Sequence, residues 1–239
     1  MLVRLVRLAL VALALAAPAA PAAADDLAAF NAAVERASAH NRAAIGYLHT
    51  GNGDLAAVEL DRLREAWQQV TAQKRPQVFD AKLYVMAMTD IAMRLVTADM
   101  LINSGRPDNA RQSLLAVRED LYRLRKSANV EVLADCLNDA GRTMDALMAY
   151  DKGEVDFAKA GLAADLAGKA QAYGRTLARC DAMADARTRQ EPEFRRLIDG
   201  AQASLALVPK AIETRDANLM HRLLIELRAL DNLLTFRFG

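Results

Sequence analysis

The chain has 239 residues with 31 basic and 30 acidic side chains, a formal net charge of +1, and so lacks the excess positive charge that a broad nucleic-acid or anionic-membrane surface requires. Hydrophobic residues make up 53% but aromatics only 5%, so the core is built largely from small side chains, which suits helices that approach one another closely.

Residues 1–24 read as a cleaved signal peptide. Arg4 and Arg7 form a basic start, and Leu8 to Ala17 is an apolar run of about ten residues, too short to span a bilayer. Ala22-Ala23-Ala24 supplies small residues for cleavage before Asp25. An Arg-Arg pair and a Cys at the cleavage site are both missing, so a Sec-type route to the periplasm or exterior is expected, with neither twin-arginine export nor a lipid anchor. Without Arg4 and Arg7 the balance is 29 basic to 30 acidic residues. No transmembrane segment is expected after signal removal.

From residue 26 onward the pattern is helical. Phe30, Val34, Ala37, Ala44 and Leu48 step by three and four along one helix face, with Asn41 as the polar exception. Gly51 stops the helix, because glycine takes the left-handed C-terminal conformation cheaply. Asp54 is placed as the N-cap of the next helix, whose stripe is Ala56, Leu60, Leu63, Trp67 and Val70.

The unit returns 54 residues later. Tyr84, Met88, Ile91, Leu95, Ala98 and Ile102 form the first stripe, Gly105 the stop, Asp108 the cap, and Ala110, Leu114, Val117, Leu121 and Leu124 the return. A third copy, offset by 102, is more degraded. Val132, Cys136, Ala146 and Tyr150 lie on its stripe, interrupted by Asp139 and Thr143; Gly153 is the stop and Asp156 the cap. Ala158, Leu162, Leu166, Ala170 and Tyr173 follow on a helix expected to run to about Arg187. In the fourth copy, offset by 164, Phe194, Ile198, Ala201, Leu205, Val208 and Ile212 precede Arg215 and the cap Asn218, then Met220, Leu224, Leu227 and Leu234. Pro209 is expected to kink its first helix.

Recurrence of stripe, turn and stripe at fixed offsets is a signature of internal repetition. The expected fold is all-α, with about eight antiparallel helices as four hairpins at about residues 26–73, 79–126, 129–187 and 193–236. A lone hairpin cannot bury its stripe, so the units form either a curved helical-repeat array or two packed four-helix bundles. The period is longer than the 34 residues of tetratricopeptide repeats.

Candidate chemistry is sparse. His40, His49 and His221 lack the spacing of a helical metal pair, and His49 suits the C-terminus of its helix. Met86, Met93 and Met100 recur every seven residues with Asp90 and Thr97 on the same face. Thioethers suit Cu(I), but about 10.5 Å separates successive sulfurs along a helix, which favours packing against a neighbouring hairpin over one shared ion. Cys136 and Cys180 are a candidate disulfide in an oxidising compartment. Counted from Gly153 along straight helices they are offset by roughly 15 Å, beyond the roughly 7 Å limit for bonded Cα atoms, unless the second helix bends or breaks. Arg64, Arg118 and Arg228 occupy one station of the repeat and are expected to pair with nearby acids. Phe236 and Phe238 are expected to pack on the final hairpin, and Trp67, the only Trp, against a neighbouring one.

The sequence contains no nucleophile elbow, phosphate loop, zinc motif or Cys-x-x-Cys-His haem motif. The expected function is a non-enzymatic periplasmic module, without a cofactor, that binds another periplasmic or envelope protein or a peptide, and binds no nucleic acid. The alternative is a helical bundle carrying haem or copper through Met and His.

Overall fold

The computed structural model describes residues 20–150 and 155–239, with side chains from residue 24 onward. Residues 1–19 of the expected signal segment and the expected stop at Gly153 lie outside the described residues. Nine helices occur among the described residues: α1 (Ala20–His49), α2 (Gly53–Thr71), α3 (Ala81–Asn103), α4 (Pro107–Ser127), α5 (Leu133–Met148), α6 (Leu162–Met183), α7 (Ala186–Gln190), α8 (Pro192–Glu213) and α9 (Ala217–Phe238). None is long and apolar enough to cross a membrane.

Neighbouring helices pack as hairpins, and the hairpins close into two rings. Helix α1 packs on α2 and α4, and α3 on α2 and α4; α5 packs on α6 and α9, and α8 on α6 and α9. Each ring encloses its own core. Phe30, Leu60, Leu63, Ile91 and Leu114 are among the residues that fill the first, and Leu137, Met144, Leu166, Tyr173 and Phe194 among those that fill the second. The arrangement is therefore two four-helix bundles; an open array would leave α1 apart from α4 and α5 apart from α9.

The repeat is visible in the backbone. Gly51, Gly105 and Arg215 all have positive φ, at 77°, 68° and 53°. Each sits in the same turn, closed by Asn52 N–H to Tyr47 O, Arg106 N–H to Leu101 O and Asp216 N–H to Ala211 O. These bonds satisfy carbonyls that a helix end leaves orphaned.

The caps lie elsewhere than expected. Asp54, Asp108 and Asn218 are each the second residue of their helix, behind Asn52, Arg106 and Asp216. Of those three, only Asp216 caps with its side chain, accepting from Leu219 N–H. Asp54 and Asp108 instead place negative charge in a first turn, where the helix dipole favours it. Asp156 accepts from Ala158 N–H in a turn before α6, whose own cap is Gly161.

The third copy departs most from the pattern. In α5 the buried residues are Cys136, Leu137, Ala140, Met144 and Leu147, one position later than the expected Asp139–Thr143–Ala146 phase, and Ala146 is exposed. Helix α5 ends at Met148 and α6 begins only at Leu162, so Ala158 is not helical. Helix α6 stops at Met183, and Asp185 caps the short α7 through Arg187 N–H and Thr188 N–H. Helix α8 continues past Pro209.

The seam between the bundles is polar. Five residues connect α4 to α5, and across this link Arg125 on α4 forks onto Asp135 on α5 with two bonds of 2.6 Å. Tyr122 donates to Asp139 at 2.8 Å, Arg142 to Glu119 at 2.9 Å, and Arg42 to the Gly239 oxygen at 2.7 Å. Phe236 on α9 reaches α1, where a Cβ on Gly46 would stand 2.9 Å from its ring. Phe236 thus packs on the first bundle, whereas Phe238 meets Phe194 edge-on in the second.

Candidate functional site

Helix α3 is apolar on two sides. Its core side carries Tyr84, Ile91, Leu95 and Ala98. Its outer side carries Val85, Met86, Met93, Val96 and Met100, which are 62%, 51%, 62%, 49% and 59% exposed. The methionines are therefore not packed against a neighbouring hairpin. Heptad spacing explains the geometry. Positions 86, 93 and 100 form one line along the helix and positions 89, 96 and 103 the adjacent one, which together make a seam of the kind that coiled-coil partners occupy. Asp90 and Lys82 are the charges that share this face.

Next to Met86 a pocket of about 260 Å³ opens between α3 and α4, lined by Leu83, Ala87, Asp90, Arg123 and Leu124. Its floor is Asp120, 3% exposed and held by Arg94 and Arg123. The bond to Asp120 raises the Arg94 pKa and fixes its charge. The ion triad thus keeps the α3–α4 junction rigid beneath the apolar seam.

A second apolar surface lies between α6 and α8. Ala170, Gly174 and Ala178 face Leu205, Val208 and Pro209 across a groove of about 650 Å³.

The other expected residues do not converge. His40 on α1 bonds Glu59 on α2 at 2.7 Å, and that bond holds the Glu59 carboxyl below the usual range. His49 and His221 are exposed, on α1 and α9. Among the described residues, no group of three or more His, Cys, Asp or Glu side chains is placed to hold a metal ion. Arg64 pairs with Asp61 and Asp99, and Arg228 with Asp145 and Asp231. Arg118 makes no ion pair among the described residues. Trp67 is buried, 5% exposed, in the first core.

Cys136 and Cys180 are disulfide-bonded with Cα atoms 5.4 Å apart. The straight-helix count fails because residues 149–161 lie between the two helices and are not α-helical turns of either. With Cys136 opposite Cys180, the start of α6 extends past the end of α5. Tyr150 meets Asp165 there, and Lys169 lies beside both.

Comparison with known protein families, curated proteins and solved structures gave no match in any of the three.

Proposed function

We propose that the chain is a non-enzymatic interaction protein of the periplasm that docks an amphipathic helix of another envelope protein along the outer face of α3. The observation that carries this reading is the row of five exposed apolar side chains from Val85 to Met100 on a helix whose opposite face is already buried. A helix apolar all round belongs inside a larger assembly. Contiguous exposed apolar surface marks an interaction site, and methionine adapts to a partner's shape. The neighbouring pocket of about 260 Å³ has room for one anchoring side chain. The export signal read from residues 1–24 and the Cys136–Cys180 bond support an oxidising compartment.

Site-specific photo-crosslinking in the native envelope tests the reading. A crosslinker at Met93 is expected to give one discrete adduct, and one at exposed Glu226 on α9 none. Met86→Glu with Met100→Glu is expected to remove the adduct while leaving helicity unchanged, because both side chains project into solvent. An adduct that survives the double substitution, or equal labelling at both positions, counts against α3.

A further inference from the structure

The repeat places Arg118 on α4 and Arg228 on α9 at equivalent stations of the two bundles, and both line one pocket of about 170 Å³ on the seam. Arg228 is committed to Asp145 and Asp231. Arg118 is not committed. Its guanidinium is largely enclosed, yet among the described residues it donates no hydrogen bond and has no carboxylate within ion-pair distance. Burial and the nearby Arg42 both push its pKa down, the response of a cation short of a counter-charge. The acids around it already have partners: Asp135 is forked by Arg125, and Asp231 is held by Tyr173 and Arg228.

Three further side chains in the same pocket are unbonded among the described residues: Asn138 on α5, and Asn232 and Thr235 on α9. The Thr235 hydroxyl is notable, because Thr97, Thr143, Thr176 and Thr214 all turn theirs back onto a carbonyl of their own helix. Two amides, a hydroxyl and a planar five-donor cation thus face one small space from both bundles. Enclosed polar groups are ordinarily satisfied, so a set left open together calls for an occupant.

The geometry points to a binding site for a small oxyanion, of carboxylate or phosphate chemistry, held by Arg118 with Asn138, Asn232 and Thr235. A guanidinium fork matches such a group bidentately. Asp145 and Asp231 on the far wall disfavour a second negative charge, so a monoanion fits best and a carboxylate better than a dianionic phosphate. Since Arg118 comes from the first bundle and the other donors from the second, the bound anion bridges the seam.

Isothermal titration and thermal melting of the chain without residues 1–24 test this site. Sodium acetate and sodium phosphate are compared with sodium chloride at constant ionic strength. Saturable binding with a rise in melting temperature is expected for acetate, weaker for phosphate at pH 8, and absent for chloride. Arg118→Gln is expected to weaken binding at least tenfold, whereas Arg64→Gln, at the equivalent station but already ion-paired, leaves it unchanged. Asn232→Asp supplies a carboxylate from the protein itself. It is expected to raise the melting temperature without added anion and to abolish the response to acetate. Equal responses to all three salts, or an Arg118→Gln protein that binds as the wild type does, overturns the site.

Discussion

Gly51 and Arg215 occupy the same station of the repeat, 164 residues apart, and both adopt a left-handed backbone, with φ of 77° and 53°. The same six-residue turn closes around each, through Asn52 N–H to Tyr47 O and Asp216 N–H to Ala211 O. Glycine takes this conformation without steric cost, whereas a residue with a Cβ carries about 1–2 kcal/mol of strain there. Glycine's extra freedom in the unfolded chain offsets about 0.5–1 kcal/mol of that difference. Arg215→Gly is therefore expected to stabilise the second bundle by about 0.5–1 kcal/mol. The converse, Gly51→Ala, meets no atom within 4 Å of the new Cβ, so its cost is conformational alone. Urea unfolding of both variants checks the pair. A destabilising Arg215→Gly would show that the Arg215 side chain contributes more than its backbone strain costs.

The disulfide closes a loop with a sequence separation of 44 residues inside the second bundle. The chain-entropy relation gives about 4 kcal/mol for a loop of that length. Trp67, the single tryptophan, lies in the first core and reports on that bundle alone. Replacing Cys136 and Cys180 by Ser is expected to lower the far-ultraviolet transition by an amount of this order and to move the Trp67 fluorescence transition much less. Equal shifts in both signals would mean that the polar seam couples the bundles into one unfolding unit.

The stripes that were legible in the sequence are those where small and apolar residues keep one phase: Phe30 to Leu48, Ala56 to Val70, Tyr84 to Ala98 and Ala110 to Leu124. The turns were legible as well, because Gly51 and Gly105 are the residues a left-handed C-terminus demands. The caps fell two residues early in the structure because helix α2 starts at Gly53 and α4 at Pro107, before the acids. In the third copy the Asp139 and Thr143 positions looked like interruptions of the stripe, but the buried face had moved one residue on, to Ala140, Met144 and Leu147. The outer face of α3 was misread for a different reason. Periodicity shows which residues share a face, but it does not say whether the chain itself covers that face, and Met86, Met93 and Met100 share theirs with solvent. The seam pocket was out of reach, since nothing local places Arg118 near Asn138 and Thr235; only the packing of two bundles does so.

Arg125 and Asp135 are both buried and face each other across the short link between the bundles. Taking two charges out of water costs several kcal/mol per ion, and the mutual fork offsets it. Arg125→Met leaves Asp135 buried without its partner and is expected to cost about 3–5 kcal/mol. The double variant Arg125→Met with Asp135→Leu removes both charges and is expected to recover most of that loss. A double-mutant cycle in urea measures the coupling; additive single effects would mean that the fork does not bind the two helices together.

Asp231 stands where the earlier copies place Trp67 and Leu121, so an apolar station of the repeat holds a carboxyl in the second bundle. Burial raises its pKa from 3.8 to about 6, opposed by Arg228, the Tyr173 hydroxyl and Arg118, and reinforced by Asp145. Because the folded value lies above the unfolded one, the native state binds the proton more tightly. The contribution of Asp231 to stability is then greatest below about pH 4 and is lost as the pH rises through about 6. A shift of this size corresponds to about 3 kcal/mol across that window, to order of magnitude. Asp231→Asn keeps the size and a hydrogen-bond acceptor for Tyr173 but removes the titration. The stability of the variant relative to wild type is therefore expected to improve steadily between pH 4 and pH 7 and to level off above. Urea midpoints of the two proteins at five pH values across that range provide the measurement, and a pH-independent difference would show that Asp231 stays ionised throughout.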